Sequence, residues 1–173
     1  MSNYKFKGPA RLVRRGPKEG VSLYSAYRPL RFRELYGSAF IVGEGLQREL
    51  LANNSKLSSP AIAFTGGTGT GKTTLSLIVA LSLNCQDLQA EVEPCLMCIK
   101  CVGILERAFE GTDPNYIVKN SASMKLDDTL DMINLNLKSG TALVNRKSGT
   151  RVIALEEAHN LTKKGIESLL MPI

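Results

Sequence analysis

The segment with the clearest chemical signature is Gly66 to Thr73, which reads Gly-Gly-Thr-Gly-Thr-Gly-Lys-Thr. It fills every fixed position of the pattern G-x-x-x-x-G-K-[ST], in which successive backbone N–H groups point at a polyphosphate. Gly66 and Gly71 permit turns that a side chain would block. The helix that begins near Lys72 adds the positive end of its dipole. The alternative interpretation is a glycine-rich turn that matches the pattern by chance.

Two side chains of this loop have predicted chemical roles. Lys72 is expected to reach the β- and γ-phosphates, and the Thr73 hydroxyl is expected to ligate Mg²⁺. The remaining contacts come from the backbone of the loop and the first turn of the helix. The predicted nucleotide-binding residues of this region are Gly66, Gly67, Thr68, Gly69, Thr70, Gly71, Lys72, Thr73 and Thr74.

Two acidic residues, Glu156 and Glu157, follow the apolar run from Val152 to Leu155. Such a run predicts a buried strand, and ligands of parallel sheets bind beyond the carboxyl ends of the strands. A phosphate loop needs a carboxylate for the Mg²⁺ shell and a group that orients the attacking water. Glu156 is therefore the predicted magnesium ligand, and Glu157 and Lys72 are the predicted catalytic residues. The alternative is an ordinary pair of surface acids at a strand end.

All four cysteines of the chain lie close together, with the spacing C-x9-C-x2-C-x2-C. In a reducing cytosol this pattern favours metal ligands over disulfides. Four thiolates complete a tetrahedral site, so a zinc ion would stabilise a small insertion over residues 85–101 and would not be catalytic. Free buried cysteines or an iron–sulfur cluster are the alternatives. The predicted zinc ligands are Cys85, Cys95, Cys98 and Cys101.

Strands and helices are predicted to alternate around these groups. Apolar runs predict strands at residues 61–65, 115–119 and 151–157. Helices are predicted over 39–53, over 73–84, from Ser123 to Lys138 and after Thr162. This alternation is typical of an α/β domain with a parallel sheet.

Composition sets the broad class of the protein. With 173 residues, 43% of them hydrophobic, the chain has apolar material for one globular domain. It has no apolar run of the roughly 20 residues that a membrane helix needs and no secretory signal, so a cytoplasmic protein is expected. Residues 1–20 supply most of the net charge of +6, which predicts a flexible basic arm before a domain over 21–173. The arm is either a solvated tail or a contact for nucleic-acid phosphates, as in a zinc-dependent nucleic-acid-binding domain.

The phosphate loop, the cysteine group directly after its helix and the acidic strand resemble, in this order, the gamma/tau subunit family of bacterial DNA polymerase III. Members of that family are AAA+ ATPases of the sliding-clamp loader. Tyr27-Arg28-Pro29, followed by Phe32 and Gly37, resembles the family's signature beside the bound adenine. The resemblance implies that Tyr27 and Arg28 contact the nucleotide. The other matching segments are Leu83 to Cys85, Pro94-Cys95, Asn120 to Ser123 and Glu157 to Leu161.

The resemblance implies an AAA+ P-loop fold, in which a parallel sheet has helices on both faces and a small zinc-binding insertion is added. In that fold the next strand after the last helix lies between the phosphate-loop strand and the acidic-motif strand. This strand, the sensor residues, the arginine finger, the lid and the collar would follow Ile173. The domain is therefore expected to be incomplete at its C-terminus.

The function implied by the resemblance is that of an ATP-binding clamp-loader subunit, which couples ATP binding and hydrolysis to the loading of a sliding clamp on primer–template DNA. The implied cofactors are ATP, Mg²⁺ and Zn²⁺. The implied partners are other clamp-loader subunits, the sliding clamp and, through the assembled complex, DNA, with no membrane. Glu156 stands where the family normally has Asp, and ATPase activity is expected to be weak without partner chains. The alternative is a truncated or divergent interaction module that binds ATP and partner subunits without hydrolysing.

Overall fold

The computed structural model describes residues 27–54, 56–59, 61–107, 113–123, 149–164 and 167. The chain divides into two compact units, Met1–Gly103 and Ile104–Ile173. The basic arm predicted over 1–20 lies outside the described residues. So do nearly all of the helix predicted from Ser123 to Lys138 and most of the helix predicted after Thr162.

Three α-helices lie wholly within the described residues, namely α1 (Ser38–Ala52), α2 (Lys72–Asn84) and α3 (Ile99–Arg107), and the described residues Lys163, Lys164 and Glu167 are also helical. α1 and α2 confirm two predicted helices, and α3 has no counterpart among the predictions. Within the same described ranges, no helix has both the length and the apolar character needed to cross a membrane. Short 3-10 helices lie at Phe32–Glu34, Ala90–Val92, Ser121–Ser123 and Ala158–Asn160.

The core of the first unit forms between α1, α2 and the segment that precedes α1. Residues at three- and four-residue spacing share one face of a helix, and α1 buries Ala39, Gly43, Leu46 and Leu50 in this way. α2 is apolar on nearly all sides and is buried along most of its length, as predicted. The buried members of this core are Phe32, Leu35, Ala39, Leu46, Leu50, Leu75, Ile78, Val79 and Val92.

The strand predicted at 61–65 is wrong, because these residues form neither a strand nor a helix. Ala61, Ile62, Ala63 and Thr65 are exposed, and Phe64 alone among the five packs, half-buried, against the core. A strand is stabilised by hydrogen bonds to a neighbouring strand. In the described part of the first unit no strand lies beside this segment, so its apolar sequence has no ladder to join.

The second unit contains the strands β1 (Tyr116–Asn120) and β2 (Val152–Glu156). They pair in parallel, with Tyr116 opposite Val152 and Asn120 opposite Glu156. Both predicted strands and their parallel pairing are thereby confirmed. β2 is half-buried throughout, whereas a buried strand is predicted, because β1 is its one neighbour among the described strands.

Candidate nucleotide and metal sites

The loop before α2 has the backbone that its glycines make possible. Gly66 and Gly71 have φ angles of +148° and +89°, in the region that L side chains rarely adopt. Space is also limited at both positions. A Cβ at Gly66 would lie 3.1 Å from Thr70 Oγ1, and one at Gly71 would lie 3.0 Å from the Cβ of Ala39. The loop is therefore shaped by its own turns and by its packing against α1.

Lys72 is held against this loop. Its Nζ donates hydrogen bonds to the carbonyl oxygens of Gly66 at 2.9 Å and Gly67 at 2.6 Å. Thr70 Oγ1 donates to the same Gly67 carbonyl at 2.8 Å. The ammonium thus lies against the loop. When a phosphate binds there, the ammonium would exchange the two carbonyl oxygens for phosphate oxygens.

The N-terminus of α2 follows directly from this loop. The residue before the helix is Gly71 in the left-handed conformation, which offers no capping side chain to the first turn. Helix N-termini attract anions through their N–H groups and the helix dipole. Thr73 is half-buried in this turn, and Thr74 is buried with 6% of its surface exposed. Gly67, Thr68 and Gly69 are exposed.

A cavity of about 180 Å³ lies beside the loop. Lys72 and Thr70 line it on one side, and the first turns of α1 line it on another. The α1 residues of this wall, Ser38, Ala39 and Val42, were not predicted to take part. Ser38 and Ala39 are small residues at the start of a helix, and this is the one signal in the sequence for this wall. Tyr27, which is 72% exposed, and the half-buried Arg28 do not line the cavity.

The four cysteines form a second site in the same unit. Their Sγ atoms all lie within 4.8 Å of one another. A tetrahedral zinc ion with Zn–S distances of about 2.3 Å places its sulfurs about 3.8 Å apart, so a small contraction suffices to ligate it. Cys95 and Cys101 are buried, and Cys85 and Cys98 are half-buried. The structure therefore brings together all four predicted ligands.

Backbone N–H groups orient these sulfurs. Cys95 donates its N–H to the Cys85 sulfur at 3.3 Å, and Cys98 donates to the Cys95 sulfur at 3.3 Å. Cys101 donates to the Cys98 sulfur at 3.5 Å. The turn between the second and third ligands includes Leu96 at a φ of +64°. N–H donors stabilise the thiolate form, which is the form that ligates metals.

The cysteines also perturb one another's protonation. A hydrogen bond with Cys101 is the main reason that the pKa of Cys85 falls to about 5, and the backbone N–H of Cys95 lowers it further. The same hydrogen bond raises the pKa of Cys101, and burial raises the pKa of Cys95. Zinc binding would release the protons that these thiols carry, because only thiolates ligate the metal. The donor set therefore fits a closed four-thiolate zinc site.

The acidic pair lies in the second unit. Glu156 ends β2 opposite Asn120 and is half-buried, while Glu157 is exposed and has a left-handed backbone with φ +53°. His159 Nδ1 lies 3.5 Å from Glu157 Oε2 at the surface. Non-glycine residues rarely adopt this conformation, and such residues cluster at functional sites. Both acids thus lie at the carboxyl end of a parallel strand, as predicted.

The parallel strand pair, the helices and the glycine-rich loop before α2 define an α/β protein with a phosphate-binding-loop sequence. Residues 44–173 match the model of the family described as DNA polymerase III, delta subunit, and the chain belongs to this family. This match and the names of the relatives given next confirm the resemblance to the gamma/tau subunit family of bacterial DNA polymerase III.

Relatives of this chain bear related names. The DNA polymerase III subunit tau of Bacillus subtilis is 32% identical over 149 residues, which are 86% of this chain and 24% of the relative. The subunit gamma/tau of Mycobacterium tuberculosis is 30% identical over 152 residues, 87% of this chain and 24% of the relative. The subunit gamma of Buchnera aphidicola is 28% identical over 151 residues, 87% and 37%. The chain spans about a quarter of the length of the first two relatives. No solved structure gives a significant match.

Proposed function

We propose that this chain is the ATP-binding part of a clamp-loader subunit with an AAA+ fold. The observation that carries the proposal is the loop from Gly66 to Lys72, with its positive φ angles and the Lys72 ammonium against its carbonyls. The uncapped N-terminus of α2 adds a second attraction for phosphate. Family membership supports a role in DNA replication. The relatives' names give the polymerase with which such a role is associated.

Each predicted residue then has a task. Lys72 leaves its carbonyl partners and neutralises charge on the β- and γ-phosphates, while the loop backbone positions them. Thr73 and Glu156 would hold Mg²⁺, which offsets phosphate charge when it is bound. Glu157 orients the attacking water, and Tyr27 and Arg28 contact the nucleotide base region. The cavity beside the loop, which α1 lines, would give a bound nucleotide one wall.

The four cysteines would hold one structural zinc ion. Their compact arrangement suits a single tetrahedral ion, and their backbone donors already orient three of the sulfurs. When bound, zinc would lock a segment that is too short to build a core of its own.

The proposed partners are the other subunits of the clamp loader, the sliding clamp and primer–template DNA within the assembled complex. ATP binding would favour assembly on the clamp, and hydrolysis would release it. The protein would act in the cytoplasm. An arginine finger supplied in trans contributes about 10³–10⁵ in rate in related phosphoryl-transfer sites, so the chain alone is expected to hydrolyse slowly.

Turnover of ATP by the full chain, alone and with clamp-loader subunits of its own cell, tests this proposal. We expect near-background turnover alone and stimulation by about 10³-fold or more with partners. Glu157→Gln should remove the stimulation, and Glu106→Gln, at an exposed position, should retain it. ATP binding without hydrolysis in the presence of partners would favour the interaction module. Fast hydrolysis without partners would contradict the expected dependence on them.

A further inference from the structure

Glu93 is a buried carboxylate inside the cysteine segment, residues 85–101, with only 4% of its surface exposed. Its Oε2 accepts the backbone N–H of Phe32 at 3.1 Å, and its Oε1 accepts that of Arg33 at 3.0 Å. A buried carboxylate is costly unless hydrogen bonds compensate it. Both oxygens therefore accept hydrogen bonds from a segment about sixty positions earlier in the chain.

The earlier segment needs these acceptors. Phe32 begins a 3-10 helix, and the residue before it, Arg31, has no side-chain acceptor to cap the first N–H groups. A further bond joins the same two regions, because Arg31 Nε donates to the Pro94 carbonyl at 3.4 Å. Another reaches α1, because Gln47 Nε2 donates to the Glu91 carbonyl at 2.6 Å. The residues just before Cys95 thus hold both the 3-10 helix and α1.

Tight packing continues from Leu35, which follows the 3-10 helix, through α1 to the phosphate loop. A Cβ at Gly43 of α1 would lie 2.6 Å from Leu35 Cδ1 and 3.6 Å from Leu75 Cδ2 of α2. Near the start of α1, the Cβ of Ala39 lies 3.0 Å from the position that a Cβ of Gly71 would take. Close-packed groups move together because there is no space for independent shifts. A displacement of residues 31–35 would therefore also displace the phosphate loop.

We infer that Glu93 is a positioning residue, which transmits the metal-bound state of the cysteine segment to residues 31–35 and, through α1, to the phosphate loop. The part that concerns nucleotide rests on the proposed function. Zinc folds residues 85–101 and thereby fixes Glu93 under the N–H groups of Phe32 and Arg33. Zinc retention and nucleotide affinity are then linked, and the linkage is reciprocal.

Amide hydrogen exchange of the zinc-loaded full chain tests the first step. Glu93→Gln keeps the size of the side chain but leaves one acceptor oxygen for two donors. Glu91→Gln is the matched control, since Glu91 lies in the same segment with an exposed side chain. We expect the parent and the control to protect the Phe32 and Arg33 amides about tenfold more with zinc than after chelation. Glu93→Gln should lose this difference, and parent-like protection in that variant would overturn the inference.

The zinc affinity of the chain, measured by equilibrium competition with a chelator with and without ATP, tests the second step. ATP should raise the zinc affinity about fivefold in the parent and in Glu91→Gln, and it should have little effect in Glu93→Gln. ATP that binds the parent without changing its zinc affinity would overturn the link to the phosphate loop. If the parent does not bind ATP, the proposed function fails, and the exchange result alone decides the role of Glu93.

Arg31→Ala provides a second variant in case Glu93→Gln does not fold. It removes only the bond to the Pro94 carbonyl. We expect it to reduce the zinc-dependent protection of Phe32 and Arg33 about twofold. If Glu93→Gln does not fold natively, unchanged zinc-dependent protection of Phe32 and Arg33 in Arg31→Ala would overturn the inference.

Discussion

The cysteine segment and the phosphate loop lie in the same unit, yet the structure completes them to different degrees. The sulfurs from Cys85 to Cys101 are already gathered within 4.8 Å and oriented by backbone N–H groups. The phosphate loop has its turns, but residues 61–65 before it form no strand and are largely exposed. Ligands that are neighbours in sequence are assembled by local bonds, whereas a loop at a strand end depends on the sheet that holds the strand.

The largest expected effect comes from removing one of the four cysteines. Cys98→Ser removes one of four thiolates, so we expect loss of about one zinc ion per chain and unfolding of at least residues 85–101. Elemental analysis and thermal melting measure these two effects. Ile99→Ser, at a neighbouring position that is 78% exposed, should leave both unchanged. A Cys98→Ser chain with parent-like melting would show that the cysteines are not a metal site.

A second prediction compares the rates of amide hydrogen exchange in the two regions. The amides of Ile62, Ala63 and Phe64 should exchange near their intrinsic rates, because no strand among the described residues pairs with them. The amides of Cys98 and Cys101 donate to sulfur, so in the zinc-loaded chain they should exchange at least about tenfold more slowly. Equal protection of the two segments would contradict the comparison.

A third prediction concerns Glu156, whose side chain is one methylene longer than the aspartate that the resemblance leads us to expect. The added methylene displaces the carboxylate by about 1 Å, which affects hydrolysis more than binding because most phosphate contacts come from the loop. Glu156→Asp should therefore raise partner-stimulated turnover about threefold or more, with little change in ATP affinity. Steady-state turnover and ATP titration together measure this. A decrease in turnover would mean that the site is built around glutamate.

The smallest expected effect concerns the hydrogen bonds that join Ser58, in the segment before the loop, to Glu49 of α1. Glu49 of α1 accepts hydrogen bonds from the hydroxyl and the backbone N–H of Ser58, and these bonds lower the pKa of Glu49. A lowered pKa stabilises the folded state above the unfolded pKa, and this contribution is lost as the pH falls through the folded pKa. Ser58→Ala should raise the pKa of Glu49 toward its usual value, as followed by NMR titration. Ser59→Ala should leave this pKa unchanged. An unchanged pKa of Glu49 in Ser58→Ala would contradict the role of Ser58 in lowering it.

The parts of the fold that sequence predicted well are those whose signals are local. The apolar character of α2, the glycines before it and the cysteine spacing each depend on residues close together in the chain. The strands at Tyr116–Asn120 and Val152–Glu156 agree with the predicted ranges to within one residue at each end.

The misses have long-range causes. Residues 61–65 have a strand-like sequence, but a strand also needs a neighbour, which sequence cannot supply locally. The capping of Phe32 and Arg33 by Glu93 joins positions about sixty residues apart, and no spacing rule connects them. The α1 wall of the cavity, with Ser38 and Ala39, likewise depends on how two helices pack.

Titration of Mg-ATP into the full chain tests the central claim most directly. Lys72 Nζ lies against the Gly66 and Gly67 carbonyls, where a bound phosphate would meet it. We predict that Lys72→Ala weakens ATP binding by about tenfold or more, and that removal of Mg²⁺ weakens binding in the parent. Lys56→Ala, at an exposed position outside the loop, should bind as the parent does. Equal affinities for the parent and Lys72→Ala would contradict the assignment of this loop as the nucleotide site.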